Sequence, residues 1–267
     1  MRFSVRTLGA YAATPRKLAN PSAQYISFNR NHFLIDCGEG TQRSLRACGV
    51  NLLGIQKVFI SHLHGDHFYG LPGLIATMNA LKRNDELEIY GPKGIKELLT
   101  TLLKASDSWT RYPLRFIELE SSDSEVIFES DKVRIVTIPL QHRIYTNGFL
   151  FEVFDNGAWN KLYAYCSDTA FLPQITSIIE NVHVLYHEST FLETESHLCE
   201  KTRHSTASEA GKIAQLAQSK FLILGHYSTR YRNLDLFRQE ALNHFKSGEV
   251  LLSDDHELFE FPWPQKI

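Results

Sequence analysis

At 267 residues, with 43% hydrophobic against 22% charged side chains, the chain can bury a sizeable core and carries no polar or Pro/Gly-rich tract of the kind that stays disordered. A formal charge of -2 excludes the global basic field of many nucleic-acid binders, so a polyanionic substrate would need local positive charge or bound cations. Apolar stretches such as residues 221–224 fall far short of the roughly 20 needed to span a bilayer. Four cysteines (Cys37, Cys48, Cys166 and Cys199) show no metal-ligand spacing and no preceding signal peptide, which reads as reduced thiols of a cytoplasmic protein.

In chain order, residues 3–8 alternate as a strand, and residues 25–28 and 33–35 read as a hairpin closed around 29–31. Residues 40–48 are helical. Residues 57–60 form a short buried strand that delivers the chain into Ser61-His62-Leu63-His64-Gly65-Asp66-His67. Helical spacing over 71–81, a strand at 87–90 and an amphipathic helix over 95–104 begin a β-α alternation. Residues 126–128, 133–138, 148–154 and 161–166 read as strands, and Asp155-Asn156-Gly157 is a strong turn signal between the last two. Strands at 182–186 and 221–224 are separated by a helix over 206–218, and 236–245 is a further helix. With no repeat and no linker, residues 1–267 are expected to form one α/β domain.

Twelve histidines are many for a chain of this size, and their placement carries the chemistry. His62, His64, Asp66 and His67 put three imidazoles and a carboxylate on one loop after an apolar strand. Imidazole suits zinc and related borderline metals, and aspartate adds a hard oxygen ligand. On a tight loop His62 and His64 can serve one ion while Asp66 and His67 face a second.

This HxHxDH pattern, with Asp36 at the end of an earlier strand, resembles the metallo-β-lactamase superfamily, whose fold is a four-layer αββα sandwich. The words IDCGEGTQ (35–42), SHLHGDHFYGLPGL (61–74), PLQHR (139–143), Ser167-Asp168-Thr169, His187-Glu188-Ser189-Thr190, His204-Ser205-Thr206 and GHYSTRY (225–231) are similar, in order, to ribonuclease Z, the endonuclease family that trims precursor tRNA 3′ ends. The resemblance implies His62, His64 and His142 on one zinc and Asp66, His67 and His226 on another, with Asp168 bridging. Manganese or iron could replace zinc in such a site. Asp36 is implied to buttress the histidine loop.

Two ions can clamp a phosphate and acidify a water between them, with Asp66 as candidate general base. The leaving oxygen benefits from a proton donor, a role the resemblance assigns to His204 with Glu188. His187 reads as structural, and His32, His183, His197, His244 and His256 default to core or surface. Residues 14–20 sit where the family has a Pro-x-Lys-x-Arg loop implicated in gripping RNA. Pro15 and Lys17 match and Ala19 replaces the arginine, leaving Arg16 and Lys17 as candidate phosphate contacts. The family also implies a homodimer. One departure is large: between His142 and Asp168, where many relatives carry a long tRNA-holding arm, two strands and a turn fill the interval. A phosphodiesterase for small or cyclic-nucleotide diesters is therefore the alternative to precursor tRNA cleavage.

Overall fold

The computed structural model describes residues 2–16 and 19–262, with the backbone alone at residue 2. Two compact units emerge, one from Met1–Glu120 with Asp254–Ile267 and one from Ser121–Ser253.

The first unit runs β1 (Arg2–Gly9), β2 (Ala23–Phe28), β3 (Asn31–Ile35), α1 (Thr41–Ala47), β4 (Lys57–Phe59), α2 (Gly65–Phe68), α3 (Leu71–Ala80), β5 (Leu87–Pro92), α4 (Ile95–Ala105) and β6 (Leu114–Leu119). The second runs β7 (Val126–Glu129), β8 (Val133–Pro139), β9 (Asn147–Asp155), β10 (Ala158–Cys166), α5 (Thr176–Ile179), β11 (Val184–Glu188), α6 (Cys199–Thr202), α7 (Ala207–Leu216), β12 (Phe221–Gly225), α8 (Asp235–His244) and β13 (Glu249–Leu252), after which β14 (Leu258–Pro262) returns to the first unit.

Each unit is built on one seven-stranded mixed sheet, ordered β14-β1-β2-β3-β4-β5-β6 in the first and β13-β12-β11-β10-β9-β8-β7 in the second. In the first, β14, β1, β2 and β3 pair antiparallel and β3 to β6 parallel. In the second, β7 to β10 pair antiparallel and β10 to β13 parallel. Both sheets thus change from antiparallel to parallel pairing, and ligand sites of α/β sheets gather beyond the carboxyl ends of parallel strands.

The core of the first unit gathers Leu34, Val58 and Ile89 from the sheet with Leu45 of α1, Leu71, Leu74, Ile75 and Met78 of α3, and Ile95, Leu99 and Leu103 of α4. The four-residue steps of the α4 set place them on one helical stripe. Each such side chain, fully withdrawn from water, stabilises the fold by about 1.5–3 kcal/mol before entropy is counted. In the second unit Tyr165 and Tyr186 stack with ring centroids 5.0 Å apart, and α7 approaches α8 so closely that a Cβ on Gly211 would strike the Ala241 carbonyl.

Most expected elements form within a residue or two of their predicted ends. Asn156 and Gly157 both have positive φ (51° and 80°), the left-handed pair that a two-residue hairpin turn requires. The strand expected at 182–186 lies two positions further on, because its parallel register with β12 runs through Glu188↔Gly225 and draws His187 and Glu188 into the sheet. Sequence reading missed β6, whose Arg115 and Glu118 break an apolar run. It also missed β14, an edge strand that pairs with β1 from the opposite end of the chain.

Candidate metal centre

In the first unit the loop after β4 is supported by Asp36, fully buried just after β3. Its Oδ1 accepts the Ser61 amide at 2.8 Å, and its Oδ2 accepts the Ser61 hydroxyl at 2.9 Å and His67 Nδ1 at 2.7 Å. The loop is also stitched to its neighbour by main-chain bonds from Cys37 N to His67 O (2.7 Å) and from Gly70 N to Cys37 O (2.8 Å). Gly70 is needed at that crossing, since a Cβ there would strike the Gly38 carbonyl.

These bonds decide how each imidazole faces. A carboxylate only accepts, so His67 carries its proton on Nδ1 and turns Nε2 toward Asp66 Oδ2, 3.6 Å away. The Ser61 hydroxyl gives its one proton to Asp36, so it accepts from His62 Nδ1 at 3.0 Å. His62 Nε2 therefore presents a lone pair, 2.9 Å from His64 Nδ1. Asp66 Oδ2 is held by the amide of Ala13 at 2.8 Å, which ties the start of the basic loop to the motif. Arg16 is exposed and lines an open cavity of about 500 Å³ with Asn20, Arg43 and His256 among others. Lys17 lies outside the described residues.

In the second unit His142, Asp168, Glu188, His204 and His226 come together from loops and strand ends. Asp168 follows β10 and His226 follows β12, both in left-handed backbone (φ 62° and 57°), as is Asp36 in the first unit (φ 55°). Such conformations are uncommon outside glycine and cluster at functional sites. The two oxygens of Asp168 face different histidines, Oδ1 lying 3.2 Å from His226 Nε2 and Oδ2 lying 3.7 Å from His142 Nε2. His142 donates Nδ1 to the Arg203 carbonyl at 3.0 Å. His226 Nδ1 lies 3.0 Å from the Thr190 hydroxyl, whose own proton goes to Glu188 Oε2 at 2.5 Å, so His226 is the donor there as well. Both rings present Nε2 lone pairs toward a carboxylate. Lone pairs converging on negative oxygen are stable together when a cation lies among them, and the donor set of imidazole and carboxylate fits a divalent metal. Burial also lowers the His142 pKa, which favours the neutral ring over the charged one.

Sequence spacing could not bring Glu188 to His204, and the structure does: His204 Nδ1 donates to Glu188 Oε1 at 2.9 Å. Glu188 is buried and also accepts from the amides of Thr169 (2.7 Å) and Ser205 (3.1 Å). Burial alone would raise its pKa, but the charge and hydrogen bond of His204 help pull it below the usual carboxylate range. Glu188 is thus an ionised anchor saturated with donors, and the ring it orients is the group left to handle a proton. His187 is buried as well, its Nδ1 donating to the Glu188 carbonyl at 2.8 Å. Sequence reading missed Ser61, Thr190, Thr169 and Arg203, which support the site through a hydroxyl or a backbone group. Ser61, Thr169 and Thr190 lie inside quoted motif words, and that adjacency was the available signal.

A family model described as Anti-Pycsar protein Apyc1 matches residues 3–250. The ribonuclease Z of Cytophaga hutchinsonii is 38% identical over 290 aligned positions, which cover 92% of this chain and 93% of that protein. Among solved structures, the short form of human tRNase Z superposes with a TM-score of 0.82 at 28% identity, covering 97% of this chain and 100% of that one. The metallo-β-lactamase fold protein YhfI from Bacillus subtilis follows with a TM-score of 0.80 at 21% identity, over 98% and 100% of the two chains. The chain therefore belongs to the ribonuclease Z family of metal-dependent hydrolases with the metallo-β-lactamase fold, within the group that the Anti-Pycsar protein Apyc1 model describes.

Proposed function

We propose that this chain is an endonuclease that removes the 3′ trailer of precursor tRNA, its 267 residues acting as one catalytic domain of a cytoplasmic homodimer. The observation that carries the reading is the buried Glu188–His204 pair at 2.9 Å, with His204 Nδ1 also 3.9 Å from Asp168 Oδ2. A phosphodiester with a poor alkoxide leaving group needs such a proton donor, and a good leaving group does not. Membership of a family whose relatives bear the ribonuclease Z name supports the tRNA substrate.

In this proposal His62, His64 and His142 hold one zinc ion, Asp66, His67 and His226 hold a second, and Asp168 bridges them, with manganese or iron as substitutes. Bound there, the two ions would supply Lewis acidity toward the phosphate and acidify water at neutral pH. Asp66, anchored through Oδ2 by Ala13 N, takes the proton of the attacking water. His204, held by Glu188 through Nδ1, delivers a proton from Nε2 to the departing oxygen. Arg16 and Lys17 contact substrate phosphates, positioning the chain without reading its sequence.

The tight β9–β10 hairpin, standing where an arm would be inserted, favours a second reading in which the diester is small or a cyclic nucleotide. The two separate when the zinc-loaded protein is offered a precursor tRNA and a small phosphodiester in parallel. Endonucleolytic release of the trailer supports the first reading. Hydrolysis of the small ester alone would move the assignment to the second.

A further inference from the structure

Thr190 is buried at 3% exposure directly after Ser189, in the turn that leaves β11. Its hydroxyl touches both Glu188 and His226. The oxygen lies 2.5 Å from Glu188 Oε2 and 3.0 Å from His226 Nδ1. A hydroxyl has one proton and two lone pairs. An ionised carboxylate cannot donate, so the proton lies toward Glu188, and a lone pair remains to receive His226 Nδ1–H. The direction of the whole chain follows: His226 donates to Thr190, Thr190 donates to Glu188, and Glu188 receives His204 Nδ1–H on its other oxygen.

We infer that Thr190 is a positioning residue that couples the ligand His226 to the Glu188–His204 pair, so that metal affinity and proton-donor geometry are set by a single hydroxyl. The inference rests on the metal-dependent reading above. Without the hydroxyl, His226 Nδ1 loses the oxygen that receives it at 3.0 Å, and the tautomer that protonates Nε2, the nitrogen proposed to face the metal, becomes more favourable. Glu188 Oε2 loses its shortest bond at the same time, so the carboxylate is left to the amides of Thr169 and Ser205 and is held less tightly in its orientation toward His204. Asp168 keeps a bond of its own, its Oδ1 accepting the Ser167 hydroxyl at 3.0 Å.

The full chain is compared with Thr190→Val, which keeps shape and removes the hydroxyl, Thr190→Ala, which removes it with no clash, and Thr190→Ser, which keeps it. Long-range proton–nitrogen NMR on the metal-free proteins reads the tautomers of His226 and His204, and chelator competition reads the zinc dissociation constant. In the valine and alanine variants His226 should leave its Nδ1–H tautomer and zinc affinity should fall about 10- to 100-fold, the size of effect known for lost outer-shell bonds. At saturating zinc, kcat on a poor leaving group should stay low, and serine should restore all of these readouts. Unchanged His226 tautomer and zinc affinity in both hydroxyl-less variants overturn the inference. So does a loss in only one of them, since alanine and valine share nothing but the missing hydroxyl. Tautomer and affinity are measured without substrate, so this result stands apart from whether the unaltered protein cuts RNA.

Discussion

At the scale of single residues, hydrogen-bond direction decides which nitrogen each histidine of the two units turns toward a protein acceptor. His62, His67, His142 and His226 each commit Nδ1 to a protein acceptor (Ser61, Asp36, the Arg203 carbonyl and Thr190), and each thereby presents Nε2 as a lone pair. Glu188 works differently: its oxygens are taken up by amides, a hydroxyl and an imidazole, so it orients and charges its neighbour and does not itself exchange protons. The division predicts that His204→Ala slows cleavage of a diester with an alkoxide leaving group by about 10²- to 10⁴-fold, the usual contribution of a general acid. A nitrophenolate ester should be affected far less. Parallel kcat measurements on the two leaving groups check this, and equal slowing would count against proton donation.

Among the elements, the strand ends do the positioning. Asp36, Asp168 and His226 each take a left-handed turn straight out of a strand, which swings a functional side chain off the sheet at the cost of about 1–2 kcal/mol of backbone strain apiece. Arg203 takes the same left-handed conformation as the cap that ends α6, ahead of His204 (φ 58°), and its carbonyl receives His142 Nδ1. The segment between β13 and β14 carries a half-buried carboxylate. Asp255 accepts Ala10 N (3.2 Å), Asn20 N (2.6 Å) and Asn20 Nδ2 (2.7 Å), pinning both ends of the basic loop. Burial, its largest influence, pushes its pKa up from 3.8 to about 6 despite those donors. Because the folded value lies above the unfolded one, the native state holds the extra proton between them, and stability falls as pH rises across that interval. Thermal unfolding of the unaltered chain and of Asp255→Asn from pH 4 to pH 7 should therefore show the difference in Tm moving against the unaltered chain as pH rises. A pH-independent difference would refute the assignment of this group.

For the molecule as a whole, among the described residues no helix is long and apolar enough to cross a membrane. The alignment with the Cytophaga hutchinsonii protein runs over 290 positions, more than the 267 residues of this chain, so that relative contains segments that this one lacks. The β9–β10 hairpin shows how the sheet closes where an arm could have been inserted. Metal bound to the folded state and not to the unfolded chain raises stability by mass action, about 2.7 kcal/mol at a hundredfold excess over Kd. Chelation should consequently abolish hydrolysis and lower Tm together, and zinc should restore both. An unchanged Tm with full loss of activity would mean that the chelator acted elsewhere.

What the sequence determined by itself was local: which strands are apolar, where Asn156-Gly157 must turn, and which short words hold imidazole and carboxylate side by side. Those features depend on neighbours a few residues apart, so His62, His64, Asp66 and His67 could be read together as a cluster. The tertiary structure decided what depends on long-range pairing. It joined β14 to β1, drew Glu188 into β11 through its register with β12, and set Glu188 against His204. It also brought an acceptor to Nδ1 of His62, His67, His142 and His226, and the acceptor at one ring nitrogen decides which nitrogen carries the proton; those acceptors are the Ser61 hydroxyl, the Asp36 carboxylate, the Arg203 carbonyl and the Thr190 hydroxyl.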